Sequence, residues 1–262
     1  MVVYRQEMKQ NRKTLLIWTL SVSFMSFICL LLFSEMKSMV EEMDEVFASM
    51  GNFTKAFGMD QMSMGTITGF YGIECGNILG IGGAFLASLL AINMLSKEEG
   101  SRTAEFLLTH PISRVRVITE KLLSIITQLA IFNIVFFLLS CIGIALLGEK
   151  VEWGHFLLYH VANYMLQLEI ASICYGISAF IRRGSLGIGL GLAAMFYFLN
   201  IIANISDKAK LVKYLTPFSY TDASDILSIG KIDVNYLIIG IFLTLAGIVI
   251  AYIQYNSKDI TA

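Results

Sequence analysis

The sequence predicts an all-α membrane protein that crosses the bilayer six times, and two observations carry this prediction. Hydrophobic residues make up 56% of the 262 residues and charged residues only 15%, a composition too apolar for a soluble globular domain. Apolar runs near the roughly 20 residues that a bilayer core requires recur along the chain. We place the spans at residues 15–33, 74–95, 122–147, 156–181, 186–205 and 236–255.

The arginines orient these spans. All of them fall in the N-terminal arm, the second loop or the fourth loop: Arg5, Arg12, Arg102, Arg114, Arg116, Arg182 and Arg183. With six spans these three segments share one side of the membrane, and basic segments stay in the cytoplasm. We therefore expect both termini in the cytoplasm, although seven lysines lie in the predicted external segments.

The N-terminal arm, residues 1–13, places Tyr4 and Met8 on one helical face together with Leu15, while basic residues occupy the other positions. This pattern is typical of an arm that lies at the membrane interface before the first span. A charged tail that only sets the topology is the alternative.

The first external loop, residues 35–72, begins with a stripe of apolar residues at helical spacing: Met36, Val40, Met43, Phe47 and Met50. Acidic residues fill the positions between them, so the first helix is expected to continue outside the membrane. Methionine suits a surface that adapts to variable apolar ligands, which makes this stripe a candidate gate. Packing against a neighbouring helix is the alternative. Met59, Met62 and Met64 also resemble a sparse Cu(I) site, but no Cys or His accompanies them.

Small residues predict close helix contacts in two spans. Gly72, Gly76, Gly80 and Ala84 form a stripe at four-residue intervals in the second span, and Gly187 and Gly191 form a shorter one in the fifth. Such stripes let helix backbones approach closely in lipid. They are not phosphate loops, because no GxxxxGK[ST] pattern is present. We therefore expect no nucleotide site and no cofactor in this chain.

Polar and aromatic residues add further candidates for a pathway. Glu169 and Asn133 lie near the middle of the fourth and third spans, where an unpaired polar group is costly. Glu169 either lines a polar path or is protonated and bonded to a neighbouring helix. Phe218 and Tyr220 belong to the last external loop, residues 206–235, which suits a segment at the outer interface. The four cysteines lack CxxC spacing and are expected to be free thiols.

The longest charged loop, residues 96–121, lies on the arginine-rich side. Glu98 and Arg102 are four residues apart and Arg102 and Glu105 three apart, so the arginine can pair with both acids on one short helix. His110 precedes Pro111, which ends that helix, and Ser113 offers an N-cap for the next one. A short helix fixed between two spans suits the transmission of force.

The segment 98–114, EEGSRTAEFLLTHPISR, resembles the loop between the second and third helices of the permease subunits of type-2 ABC exporters. YLTPFSY, residues 214–220, is similar to the last external loop of that family. The resemblance implies that the short helix 101–109 sits in a cleft of a cytosolic ATPase. The coupling residues that it implies are Glu98, Glu99, Gly100, Arg102, Thr103, Glu105, Phe106, Leu107, Leu108, Pro111 and Arg114.

The same resemblance implies a set of partners. Two permease subunits, a second copy or a paralogue, would work with a separate ATPase dimer that binds ATP and Mg²⁺. This chain would then be no enzyme itself, and its other partner is membrane lipid, with no nucleic acid. The expected location is a bacterial cell membrane, and the expected cargo is an amphipathic or hydrophobic peptide of toxin or antimicrobial type, or a lipid-like molecule.

Two other functions keep part of this pattern. A membrane sensor or immunity subunit would have the same architecture without transport. An intramembrane protease of the CAAX-processing type would use Glu98, Glu99 and Arg102 with Phe156, His160 and Asn163, but two of its spacings differ here by one residue. The topology also separates Glu98 from His160, because they fall at opposite ends of their spans.

Overall fold

The computed structural model describes residues 1–40, 51–101, 112–182 and 184–258. The regular secondary structure in these ranges is helical, with no strand, which confirms the all-α prediction. The helices in chain order are α1 (Val2–Leu31), α2 (Asn52–Ala56), α3 (Ile67–Ala91), α4 (Lys97–Gly100), α5 (Arg114–Leu147), α6 (Trp153–Ser178), α7 (Leu186–Ile205) and α8 (Val234–Ser257).

Five of these helices, α1, α3, α5, α7 and α8, are long and apolar enough to cross a membrane. The remaining predicted span corresponds to α6, whose 26 residues give the required length. It carries buried polar side chains: His160, Asn163, Gln167 and Glu169. Helix α6 packs against α3, α5 and α8, and a helix enclosed by protein needs little apolar surface toward lipid. The polarity of α6 thus follows from its central position, and the count of six spans stays a prediction.

Helices α1 and α5 pack side by side. The predicted arm, residues 1–13, forms the first turns of α1 without a break. Helix α5 has 34 residues and is roughly 51 Å long at 1.5 Å per residue. It begins where predicted, because the Ser113 hydroxyl accepts a hydrogen bond from the backbone N–H of Arg116 at 3.3 Å. Gly148, in the left-handed region at a φ of 68°, ends it.

The small-residue stripe of α3 makes room for side chains from other elements. A Cβ atom on Gly76 would collide with the hydroxyl of Tyr159 on α6, and one on Gly80 would lie 3.3 Å from the ring of Phe218. Other elements therefore approach α3 closely at these glycines. They do so through side chains, whereas the prediction is a close approach of helix backbones. A π-helical turn, Tyr71–Cys75, interrupts α3 at the same level.

Glycines bring α6 and α8 into backbone contact. A Cβ atom on Gly176 would lie 2.9 Å from the carbonyl oxygen of Gly247. The stripe predicted for α7 is not used within this chain, because a Cβ on Gly191 would meet nothing within 4 Å. Gly189, which lies between the two predicted positions, packs against Ile92 instead.

The segment between α7 and α8 turns back into the helix bundle. It consists of two 3₁₀ helices and a π-helical turn, Asp207–Leu215, Pro217–Thr221 and Ser224–Ile229. Between the 3₁₀ helices, the Thr216 hydroxyl donates to the carbonyl oxygen of Phe196 at 2.8 Å. Phe196 precedes the end of α7 by nine residues, roughly 14 Å along its axis. We call residues 216–221 the re-entrant segment.

The re-entrant segment corrects one prediction. Phe218 and Tyr220 are 7% and 3% exposed and pack among the helices, so they do not lie at the outer interface. The preceding 3₁₀ helix keeps Leu211 and Leu215 exposed, as an interfacial segment would.

Residues 33–40 continue as a helix after a turn at Leu32. Val40 is buried and Met36 packs against the core. The described part of the apolar stripe thus packs on protein, in line with the alternative weighed above. Met43, Phe47 and Met50 lie outside the described residues.

Candidate functional site

The structure describes both ends of the predicted coupling loop. Glu98, Glu99 and Gly100 belong to α4, and Arg114 is the first residue of α5. The other predicted coupling residues lie outside the described residues: Arg102, Thr103, Glu105, Phe106, Leu107, Leu108 and Pro111.

Lys121 lies at the centre of a buried group of charges beside α4. Its side chain is 0% exposed, binds the Glu98 carboxylate, and lies 3.5 Å from the Glu7 carboxylate. Glu7 is 3% exposed at its side chain and also binds Lys97. We call Glu7, Lys97, Glu98 and Lys121 the root cluster. It joins α1, α4 and α5, and because an unpaired buried charge is costly, its members hold these three helices together.

The root cluster refines the spacing argument for Glu98. The i, i+4 spacing predicts a pair between Glu98 and Arg102, whereas the structure pairs Glu98 with Lys121 on α5. Arg102 lies outside the described residues. Glu98 is therefore bound to a neighbouring span at the root of the loop.

A second set of contacts fixes the end of α8 to the same loop. Glu99 binds Lys258 at 2.9 Å, with both side chains less than 10% exposed. The Arg114 guanidinium donates to the carbonyl oxygens of Tyr255, Asn256 and Lys258 at 3.3, 3.1 and 2.8 Å. These are terminal carbonyls that a helix leaves without intrahelical partners. Both ends of the coupling loop thus contact the C-terminal end of α8.

The start of α1 is attached to α5 in a similar way. Glu120 accepts a hydrogen bond from the backbone N–H of Tyr4 at 3.1 Å and from the Arg116 side chain at 2.9 Å. The hydroxyl of Tyr4 donates to Thr127 at 3.2 Å. The beginning of α1 and the end of α8 therefore lie on the same side as the loop.

The predicted polar residues inside the bundle are hydrogen-bonded. The Asn133 side chain donates to Gln167 at 2.6 Å, which links α5 to α6. Glu169 accepts from the hydroxyl of Tyr220 at 2.9 Å, so two of the pathway candidates are in contact. Glu169 also lies against Gly240 of α8. These contacts match the structural alternative for Glu169, and a role in a pathway stays a prediction.

His160 lies in an aromatic environment far from the loop. Its Nε2 lies 2.9 Å from the Tyr71 hydroxyl, and the rings of Phe137 and Phe156 have centroids 5.0 and 4.8 Å from its own. The Tyr175 hydroxyl donates to the carbonyl oxygen of Ile118 on α5. Tyr175 therefore marks the depth at which α6 passes the root cluster. His160 precedes Tyr175 by fifteen residues, roughly 22 Å along the helix. The protease arrangement is therefore excluded.

A polar cavity in the half of the bundle away from the coupling loop is lined mainly by α3, α6, α7 and the segment after α7. Its volume is about 80 Å³, and we call it the outer chamber. Its walls carry amide and phenol groups, namely Asn77, Tyr159, Asn163, Tyr197, Asn200 and Asn204. Phe218 and Asp222 complete it. The signal in the sequence is the spacing of Tyr197, Asn200 and Asn204, which share one face of an otherwise apolar helix.

The walls of the outer chamber are rich in hydrogen-bond acceptors. The Asn77 and Asn163 side-chain nitrogens donate to the carbonyl oxygens of Ile73 and Tyr159 in their own helices at 2.5 and 3.0 Å. A carboxamide offers two N–H donors and one oxygen. With an N–H of each turned to its helix, the Asn163 oxygen points toward Gly80.

Asp222 brings a negative charge to the outer chamber. One of its oxygens accepts from the backbone N–H and hydroxyl of Ser224 at 2.9 and 2.7 Å. Among the described side chains no lysine or arginine forms an ion pair with it. Burial raises the pKa of the nearby Asp225 carboxyl, Asp222 raises it further, and Lys213 lowers it.

No metal centre forms in the parts of the chain that the structure describes: no three His, Cys, Asp or Glu side chains come together. Met62 and Met64 are buried, and the Met62 sulfur packs beside Gly72. All four cysteines are free thiols, as predicted, with Cys75 and Cys174 buried and the other two half-buried.

A family model described as ABC-2 family transporter protein matches residues 1–260. Among curated proteins, none matches the chain.

Proposed function

Because this chain belongs to the ABC-2 transporter family, we propose that it forms half of the translocation pathway of an ATP-driven exporter. A second copy or a paralogue would supply the other half. In such systems the ATPase activity lies in separate subunits, so a cytosolic ATPase dimer would bind ATP and Mg²⁺. This chain would contribute the pathway and the coupling surface.

The contacts around the loop support six spans with both termini in the cytoplasm. Tyr4 near the start of α1 contacts Glu120, and Lys258 at the end of α8 contacts Glu99. Residues near both ends of the chain thus contact the same loop, which supports an even number of crossings. With five apolar helices, α6 would be the sixth span. The loop would face the cytoplasm of a bacterial cell, because the arginines cluster there.

The observation that carries the mechanism is the pair of buried connections at the root of the loop. The root cluster ties the loop to α1 and α5, and Glu99 with Arg114 ties it to α8. A closing ATPase that moves the loop would move these spans as rigid elements, since packed helices shift as units. The predicted coupling helix 101–109 would be the part that the ATPase holds.

The proposed cargo is an amphipathic or hydrophobic peptide, or a lipid-like molecule. The outer chamber supports this class, because it places the ring pair of Tyr197 and Phe218, with centroids 5.5 Å apart, beside amide groups. Such mixed walls suit a molecule with both apolar and polar parts. The methionine-rich external loop would offer an adaptable surface nearby.

Association with the ATPase tests the proposal. The best variant is Arg102→Ala with Phe106→Ala, because Glu98 belongs to the root cluster and its replacement would also disturb the spans. We expect the tagged wild-type chain to purify from its native membranes with a stoichiometric ABC ATPase. The double variant should retain at least about tenfold less ATPase, because removal of a binding hot spot has an effect of this size.

The control for this experiment is Lys9→Ala, an exposed residue on α1. It should retain the ATPase at the wild-type level. Equal retention by the double variant would contradict the assignment of the loop. If the wild-type chain purifies without any ATPase, that result would favour a sensor or immunity subunit.

A further inference from the structure

The outer chamber is distinct from the coupling loop and lies within one subunit. Of its walls, Asn77 belongs to α3, Asn163 to α6 and Asn200 to α7. Using 10–15 Å³ for each water-sized group, its 80 Å³ admit roughly five to eight such groups. This is enough for a functional group and a short stem, but not for a whole peptide.

The chemistry of the walls selects a donor. An N–H of both Asn77 and Asn163 is turned to a helix carbonyl. The Asn77 oxygen already accepts from the Tyr197 hydroxyl at 3.2 Å, which leaves the Asn163 oxygen as an acceptor for a ligand. Asp222 supplies the formal charge of the chamber, and the described chamber lining contains no lysine, arginine or histidine. An anion would therefore meet acceptors and a carboxylate, whereas a cationic donor would satisfy them.

The aromatic rings reinforce this preference. Tyr197 and Phe218 stand edge to face, with planes at 69°, and Tyr159 lies on the opposite helix. The faces of such rings attract ammonium groups, and more strongly where water is excluded.

A second pocket, which we call the opening, shares Gly58, Asn204 and Asp222 with the chamber and carries mixed charges. Lys55, Lys213 and Asp60 line it together with Asp222 and Asn204. Asp222 is thus the one charged residue that belongs to both the opening and the chamber, among the described lining residues. A cation at the opening lies near both lysine and aspartate side chains, whereas a cation inside the chamber lies near the Asp222 carboxylate.

We propose that the outer chamber binds a primary ammonium group on a short aliphatic stem, such as a lysine side chain or the amino terminus of a peptide. This inference rests on the proposed function in one respect, namely that the ammonium group belongs to the transported cargo. Binding itself needs no ATPase and no nucleotide, so the two proposals fail separately.

The test uses the full chain in nanodiscs and n-butylammonium as the probe, observed by saturation-transfer NMR against empty nanodiscs. n-Butanol serves as the uncharged analogue with the same stem. We expect saturation of butylammonium and none of butanol. Asp222→Asn keeps the acceptor for the Ser224 N–H and should raise the Kd at least about tenfold, since it removes a charged partner.

Asp60→Asn is the matched control, because it removes the same charge at the opening but not inside the chamber. It should change the Kd by less than about twofold, as an exposed charge does. Equal binding of butanol, equal losses in both variants, or no binding beyond empty nanodiscs would overturn the proposal.

Asn200→Leu provides a second test that does not depend on how Asp222→Asn folds. It places an apolar side chain in the chamber and should abolish butylammonium saturation at an unchanged thermal midpoint. Wild-type binding by this variant would overturn the assignment of the chamber.

Discussion

Lys121 is the residue on which the contacts at the root of the coupling loop depend most. Its ammonium group is 0% exposed and is shared between Glu98 and Glu7, while its aliphatic part is enclosed where α1, α4 and α5 meet. A single charge between two carboxylates couples all three helices, because none of them can leave without exposing the others to an unpaired charge.

Replacement of this residue by Lys121→Met should therefore be strongly destabilising. The Glu98 carboxylate would lose its partner and Glu7 would keep only Lys97, and breaking a buried ion pair costs roughly 3–5 kcal/mol in comparable cases. Lys37→Met breaks the exposed pair with Glu149 and should cost roughly 0–1 kcal/mol. Denaturation of both variants in detergent measures the difference, and equal unfolding midpoints would contradict a structural role for the cluster.

Gly76 is a second residue whose identity is set by its contact. Gly76→Ala would push a methyl group into the hydroxyl of Tyr159, and such overpacking costs roughly 1–3 kcal/mol. Gly191→Ala is the matched control, since nothing lies within 4 Å of the added atom. We expect a lower thermal midpoint only for the α3 variant. A similar midpoint for both would mean that α3 and α6 are farther apart than described.

At the scale of elements, the re-entrant segment determines how the helices pack in the half of the bundle away from the coupling loop. It fills the space between α6, α7 and α8, and its Phe218 forms part of the outer chamber. Its buried backbone N–H groups need partners, and those of Phe218 and Ser219 donate to the hydroxyl and carbonyl oxygens of Thr216 at 3.4 and 3.3 Å. The Thr216 hydroxyl in turn attaches the segment to α7. The segment therefore acts as a fixed wall of the bundle.

Accessibility to a membrane-impermeant maleimide tests the position of this segment. In a chain whose four native cysteines are replaced by alanine, Ser219→Cys should react slowly because Ser219 is 8% exposed. Lys231→Cys lies in the exposed turn before α8 and should react at least about tenfold faster, since burial excludes the reagent. Equal labelling rates would place the segment on the surface.

At the scale of the whole molecule, the proposed count of six spans depends on where the termini lie. Helix α6 is not among the five helices apolar enough to cross a membrane by composition alone, and it packs against three of them. The contacts of Tyr4 and Lys258 with one loop support an even number.

Topology reporters measure this directly. Green fluorescent protein fused to either terminus should fluoresce, and alkaline phosphatase fused there should be inactive, because both termini would be cytoplasmic. A phosphatase-active fusion at one terminus would indicate five spans. Alkaline phosphatase inserted after Gly148, at the predicted outer end of α5, should be active and serves as the control.

The sequence predicts features that depend on local pattern and misses those that depend on distant partners. The apolar runs locate the long helices, five of which are apolar enough to cross a membrane, and the Ser113 cap follows from its own neighbours. Glu98 pairs with a lysine 23 residues away on another helix, where spacing points to Arg102. The outer chamber combines four elements, so no single stretch of sequence reveals it. Phe218 looks interfacial because composition does not show that the chain turns inward.

ATP hydrolysis by the purified complex tests whether this chain is a permease that couples to an ATPase through the loop 96–121. With the permease and its ATPase in nanodiscs, we expect vanadate-sensitive hydrolysis, and Arg102→Ala with Phe106→Ala should reduce it to the rate of the ATPase alone. Lys9→Ala should leave it unchanged. Full hydrolysis by the double variant, or no effect of the wild-type permease on the ATPase, would contradict a permease that couples through this loop.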